Sequence, residues 1–226
     1  HFSSKEQLHQ TFLDFVKSTK EFLVVCIDDD GGREIAKLAT ELRLNIITYG
    51  ESEAAQIRIS HISTSAIGSF FRVTWQGVVL GEVALNIPGK HNVLNATAAL
   101  GAGIALGLNP NQLILGLSKF QGVRRRFELK GIVKNIRVFD DYAHHPTEVS
   151  ATIATARDVV EQGKIIVIFQ PHRYSRTLAF AEGFAESLST ADQVILLDIY
   201  GAGEESIPGA SSSVIAKQIR DIGTKV

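Results

Sequence analysis

Apolar residues recur along the chain with two different periods. Leu8, Phe12, Phe15 and Val16 fall at helical spacing behind Ser3 and Ser4, either of which suits a helix N-cap, so the pattern predicts a first helix. Residues 22–27 form an unbroken apolar run and read as a strand. Residues 28–32 read as a turn, Ile35, Leu38, Ala39 and Leu42 as one side of a second helix, and residues 46–49 as a second strand. Strand, helix, strand in succession marks a parallel α/β layer. Residues 56–62, 70–75 and 78–85 are then rich in β-forming side chains, with Gln76 and Gly77 placed for a hairpin turn, and predict a small antiparallel patch. Pro88 and Gly89 close it. An Ala-rich helix is expected over 91–107, and Asn109-Pro110 opens another with Leu113, Ile114 and Leu117 on its apolar side.

Gln121-Gly122 punctuates this pattern, and a domain boundary is expected within 122–126. Beyond it, strands at 136–140, 165–169 and 194–197 alternate with helices at 146–161, 178–188 and 212–222. Val149, Ile153, Ala156 and Val160 make one apolar stripe on the first of these helices. The expected fold class is α/β. Residues 1–123 form an α/β unit with a small antiparallel patch, and residues 124–226 a Rossmann-like doubly wound domain. That second sheet reads as incomplete, because no strand pattern follows the last helix.

Composition narrows the function. Lys plus Arg number 23 and Asp plus Glu 24, a net charge of −1, which leaves no overall electrostatic footprint for nucleic acid. No apolar run approaches the ~18 residues of a membrane span, so no membrane insertion is expected. The one cysteine, Cys26, lies in the first strand run and reads as a small buried hydrophobe in a reducing compartment. The chain of 226 residues has no methionine and opens on His1, which predicts a piece of a longer protein.

Five polar clusters carry candidate chemistry. Asp140-Asp141-Tyr142-Ala143-His144-His145-Pro146-Thr147-Glu148 follows a strand and enters a helix at Pro146. Helix capping uses one or two such side chains, and the surplus points to function; adjacent histidines alone are a weak sign of a metal. In Gln170–Thr177, Arg173 and Arg176 stand three apart, so on a helical turn two guanidinium forks face the same way, suited to carboxylate or phosphate. Residues 200–209 form a glycine-rich loop without the Gly-Lys-Ser/Thr ending of a P-loop. Asn92 and Asn95 at i, i+3 read either as hydrogen-bonding groups for a base edge or as ordinary capping residues. Arg124-Arg125-Arg126 lies at the expected hinge.

In order, the segments GKHNVLNA (89–96), RRFE (125–128), DDYAHHPTE (140–148), QPHRYSRT (170–177) and YGAGEESIPG (200–209) resemble the Mur ligases over essentially the whole chain. The closest branch is the one that adds L-alanine to UDP-N-acetylmuramic acid; Tyr142 and Glu148 separate it from the branch that reattaches recycled murein tripeptide. The resemblance implies a cytoplasmic ATP-dependent ligase of peptidoglycan precursor synthesis, working through an acyl phosphate. Residues 1–123 then correspond to the end of a central ATPase domain and 124–226 to most of a C-terminal ligase domain. It implies ATP and Mg2+, with the phosphate loop and the metal ligands upstream; His1 is not assigned as a ligand, and the isolated piece is expected to be inactive. His91, Asn92 and Asn95 would contact adenine. Arg126 and Asp141 would approach the nucleotide, Arg126 at a phosphate and Asp141 at a ribose hydroxyl. Tyr142, His144, Arg173 and Arg176 would receive the muramyl carboxylate and alanine, with His144 as a relay for the amine proton, while His145 and His172 orient neighbours. The alternatives are the tripeptide ligase and a nucleotide-binding module without catalysis.

Overall fold

The computed structural model describes residues 4–160 and 162–226. Ser4 is the cap of the first helix, α1 (Lys5–Ser18): its hydroxyl accepts from the Gln7 amide at 3.2 Å. His1, Ser3 and Glu161, the expected end of a later helix, lie outside the described residues. Of the four apolar positions expected to face inward on α1, only Val16 is buried; Phe12 and Phe15 are exposed.

The chain divides into two compact units, the first running to Ser63 and resuming over Ile67–Gln121, the second comprising Thr64–Ala66 and Gly122–Val226. After α1, the first unit contains β1 (Phe22–Cys26), α2 (Asp30–Glu41), β2 (Asn45–Gly50), β3 (Ile57–Ser65), β4 (Gly68–Trp75), β5 (Val78–Leu85), α3 (Lys90–Ala105) and α4 (Pro110–Lys119). The expected turn at 28–32 is shorter than foreseen, because Asp29 caps α2 through the Gly32 amide at 2.8 Å and starts the helix at Asp30.

The strands form one sheet in the order β1-β2-β3-β4-β5. β1, β2 and β3 run parallel, and β4 and β5 are antiparallel across the Gln76-Gly77 turn. The antiparallel patch is therefore continuous with the parallel layer instead of standing apart from it. Gln76 and Gly77 both take positive φ, 48° and 83°, the pair of angles a two-residue hairpin turn needs. Ile47, Ile57, Ile59, Phe71, Val73, Val83 and Leu85 pack with Val93, Ala96 and Leu100 of α3 as the main core of this unit. Each such large side chain contributes about 1.5–3 kcal/mol on burial. A smaller cluster joins Val16, Leu23 and Ala39 beneath α1 and α2.

The second unit opens with a hairpin, β6 (Glu128–Val133) and β7 (Ile136–Asp140), paired antiparallel. The strand at 136–140 thus pairs locally with β6 and does not join the parallel sheet that the sequence pattern predicts for it. Then come α5 (Pro146–Val160), β8 (Ile166–Phe169), α6 (Tyr174–Ala179), α7 (Ala181–Leu188), β9 (Gln193–Leu196) and α8 (Ser212–Ile222). The single helix expected over 178–188 is two short ones, broken at Phe180. β8 and β9 pair in parallel, and isolated bridges add His172 to Tyr200 and Gln193 to Lys225. The last helix is therefore followed by the beginning of strand pairing. Val149 and Ile153 of α5, Phe184 and Leu188 of α7, and Ile215 and Ile219 of α8 share one core with Phe169 and Val194. Ile166, Ile168 and Ile195, which alternate with those core positions, are exposed.

Candidate functional site

The polar residues of the second unit gather where β7 and β8 end and the loop after β9 begins. Arg125 and Phe127 both take positive φ, 57° and 50°, and the sharp bend returns the chain onto the segment after β7. Three contacts fix it there. The Tyr142 amide donates to the Arg125 carbonyl at 2.8 Å, the Phe127 amide donates to the Asp141 carboxylate at 2.8 Å, and the Phe127 ring stacks on Phe139 at 4.3 Å. The other Asp141 oxygen accepts from the Ala143 amide at 2.7 Å. Asp141 is thus first a fastener between two loops. Arg125, which the sequence reading places in the basic hinge segment without a role of its own, lies above the Tyr142 ring at 4.7 Å, a placement in which the cation meets the negative ring face.

Pro146 starts α5, and Glu148 in its first turn reaches back to the amides of His144 and His145 at 3.0 and 3.2 Å. This is capping-box geometry, with the N3 carboxylate satisfying donors ahead of the helix. The same carboxylate lies 3.5 Å from Arg126 Nη1 and 3.4 Å from His144 Nδ1. Burial opposes its ionisation, but the His144 amide and the neighbouring His144 and Arg126 charges outweigh it and hold Glu148 below the usual carboxylate range.

His144 Nδ1 also faces the Tyr142 carbonyl at 3.0 Å. Both neighbours of Nδ1 are acceptors, so the neutral ring carries its proton there and presents Nε2 as a lone pair. His145 turns elsewhere: its Nδ1 accepts from the Thr147 amide at 3.3 Å and its ring packs edge-on against Phe180.

The His172 ring lies 6.5 Å from that of His144 and 5.1 Å from that of Tyr200. Burial, then the charges of Arg176, His144 and Arg173, push its pKa below the ordinary value, against a weaker opposite pull from Glu204. Among the described residues its Nδ1 is buried and without a hydrogen-bond partner. Arg173 and Arg176 are not equivalent members of one helical turn. Arg173 is the N-cap of α6 with φ 75°, its amide bonded to the Tyr200 carbonyl at 2.8 Å, whereas Arg176 lies within α6 and is half-buried. Tyr142, His144, His172, Arg173 and Arg176 are brought together around one polar patch.

In the first unit the three candidates differ in exposure. Asn92 is buried and its amide donates to the Pro88 carbonyl at 2.7 Å, so it serves the entry to α3. Asn95 is exposed and His91 half-buried. The paired carboxamides expected on one open face are therefore separated, one turned to the backbone and one to solvent. Among the described residues no group of three or more His, Cys, Asp or Glu side chains is placed to hold a metal ion. The resemblance places the magnesium ligands upstream of residue 1. No described helix is long and apolar enough to cross a membrane.

Comparison with known proteins agrees with this layout. The Mur ligase middle domain matches residues 1–103, and the Mur ligase glutamate ligase domain matches residues 125–226. A UDP-N-acetylmuramate–L-alanine ligase of Acidothermus cellulolyticus is 41% identical over 228 residues, covering 100% of this chain and 48% of the relative. The like-named ligase of Lawsonia intracellularis is 42% identical over 98% of this chain and 49% of its own length. The chain thus spans about half the length of the relatives it matches. The crystal structure of the UDP-N-acetylmuramate–alanine ligase of Thermotoga maritima superposes with a TM-score of 0.75 at 28% identity, covering 99% of this chain and 46% of that one. A folylpolyglutamate synthase of Mycobacterium tuberculosis shares the fold alone, with a TM-score of 0.71 at 14% identity over 98% of this chain and 48% of its own. With two of the family's domains matched in sequence order and the whole of this chain aligned to its ligases, this chain belongs to the Mur ligase family.

Proposed function

We propose that the full-length protein is a cytoplasmic, ATP-dependent and ADP-forming ligase that joins L-alanine to UDP-N-acetylmuramic acid in peptidoglycan precursor synthesis. Residues 1–123 are then the end of its central ATP-binding domain and residues 124–226 most of its C-terminal ligase domain. The observation that carries the reading is the polar patch of Tyr142, His144, His172, Arg173 and Arg176.

In this scheme a lactyl carboxylate oxygen attacks the γ-phosphorus of ATP and ADP leaves. The alanine nitrogen then attacks the acyl carbon, the bond to the phosphate oxygen breaks, and the proton leaving nitrogen passes to His144 Nε2. Arg173 and Arg176 hold carboxylates through paired N–H donors. Arg126, kept in place by Glu148 at 3.5 Å, is the cation directed at phosphate. His91 and Asn95 serve the adenine, with Asn92 shaping the entry to the same helix through Pro88. Asp141 acts on the nucleotide from a position set by its two backbone bonds. Magnesium would be held by residues other than those described.

Substitution of Arg176 tests the reading. In the full-length protein Arg176→Ala raises KM for the carboxylate substrates about tenfold or more, the loss expected for hydrogen bonds to a charged group. Wild-type kinetic constants in that variant would remove the patch from the substrate site. Comparing L-alanine with murein tripeptide as the nucleophile separates the proposed activity from that of the recycling branch.

A further inference from the structure

The loop after β9 makes contacts with the arginine turn that neither the motif comparison nor the role of Arg173 explains. α6 begins at an N-cap residue, Arg173, that offers no side-chain bond to the helix, and a short helix so started leaves orphan amides. The missing acceptor comes from 29 residues further along the chain. Glu204 takes the Ser175 amide at 3.1 Å on one carboxylate oxygen and the Ser175 hydroxyl at 2.7 Å on the other. The oxygen that accepts the Ser175 hydroxyl also lies 3.7 Å from Arg173 Nη1. The two segments are joined again at the other end of the turn. The Arg173 amide donates to the Tyr200 carbonyl at 2.8 Å, and the Tyr200 amide donates to the Pro171 carbonyl at 2.9 Å.

The backbone between these fixed points is built to return Glu204 to the turn. Ala202 and Gly203 both take positive φ, 51° and 87°. At Gly201 a Cβ would stand 3.0 Å from the Glu204 carbonyl oxygen and 3.0 Å from the Tyr174 ring, so a larger residue would push the loop off α6. The Ser175 hydroxyl and amide hold Glu204 below the usual carboxylate range, so it is charged at neutral pH.

We infer that Glu204 is a positioning residue for the carboxylate-binding arginines: it caps α6 from outside the helix and holds the Arg173 guanidinium beside the Arg176 turn. The inference rests on the reading of Arg173 and Arg176 as substrate-carboxylate ligands. Glu204 does not touch substrate; it acts through Arg173 and the start of α6. Glutamine at this position keeps an acceptor for the Ser175 amide but loses the negative charge beside Arg173.

The test is a double-mutant cycle in the full-length protein, with KM for L-alanine and UDP-N-acetylmuramic acid read separately from kcat and from thermal stability. Glu204→Ala is expected to raise KM for a carboxylate substrate about tenfold, with kcat changed far less. Glu204→Gln is expected to recover only the part of that loss that belongs to the Ser175 amide, because its amide nitrogen would face Arg173. Glu204→Ala is expected to add nothing in an Arg173→Ala background, the signature of action through Arg173. A Glu204→Ala variant with lowered melting temperature but wild-type KM overturns the inference, because the residue would then only brace the loop. Fully additive effects of the two alanine variants overturn it as well. Arg173→Ala with wild-type KM overturns instead the substrate reading on which the inference stands.

Discussion

Replacing Asp141 by alanine should act on folding before it acts on catalysis. Its carboxylate accepts the Phe127 amide at 2.8 Å and the Ala143 amide at 2.7 Å. Phe127 is 6% exposed, so its amide has little access to replacement water. Hydrogen bonds to charged groups contribute about 1.5–3 kcal/mol each, and a buried donor left unpaired loses its desolvation cost in full. Two such bonds set an upper bound of about 6 kcal/mol; since the Ala143 amide can turn to water, a loss of about 2–5 kcal/mol follows. For a unit of this size that lowers the melting temperature by about 10 °C or more. Asparagine recovers little, because its amide nitrogen would face one of the two donors. Urea unfolding of the intact chain followed by circular dichroism measures the loss, and activity is then compared at a temperature where the variant is folded. A stability within roughly 0.5 kcal/mol of wild type, the range of an ordinary surface substitution, would refute the fastener role and return Asp141 wholly to the nucleotide.

Three further outcomes follow from the same structure. Phe184→Ala empties the centre of the second unit, where Phe184 is 1% exposed beside Phe169, and should cost about 3–5 kcal/mol in denaturant unfolding. Gly32→Ala sets a Cβ 1.8 Å from the Cys26 carbonyl oxygen and should cost about 1–3 kcal/mol, while Gly31→Ala, whose Cβ meets only the Asp29 side chain at 3.3 Å, should be tolerated in the same assay. His172 should titrate below its ordinary value in an NMR pH series and move upward in Arg176→Ala. Because the folded value is depressed, its linked stability is fully present above the unfolded pKa of about 6.5 and is lost as pH falls towards the folded value; an unmoved His172 in the Arg176 variant would deny the two groups their electrostatic contact.

Much of the fold was legible in the hydrophobic pattern, and the misses have physical causes. β6 escaped notice because Leu129, Ile132 and Val133 are all exposed, so no buried face imposes a period of two on its sequence. Its signal was the turn: Lys134 and Asn135 both take positive φ between two β-forming runs, the local chemistry of a two-residue hairpin. The parallel sheet was foreseen through 136–140 because a strand run records an extended backbone but not its partner. On α1, Phe12 and Phe15 keep helical spacing while lying in solvent, since periodicity states which residues share a side and not whether that side is covered.

The candidate site was partly legible in the same way. Clusters after the strands at 136–140 and 165–169 singled out Tyr142, His144, Arg173 and Arg176 as candidates; the rule that ligands gather at the ends of a parallel sheet covers only the two arginines, since β7 pairs in a hairpin. Glu148 was visible as a first-turn residue of its helix, and Glu204 only as a motif member. Their partners, Arg126 in one case and Ser175 and Arg173 in the other, come from loops distant in sequence. Asn92 carried two readings in the sequence, a base-edge contact and a residue serving the helix start, and its bond to the Pro88 carbonyl belongs to the second.

The measurement that bears most directly on the central claim is the product formed by the purified full-length protein from ATP, UDP-N-acetylmuramic acid and L-alanine, identified by mass. The account predicts UDP-N-acetylmuramoyl-L-alanine, with ADP and phosphate released only when all three substrates are present. No conjugate with L-alanine, or a conjugate formed only with a peptide in its place, would contradict it.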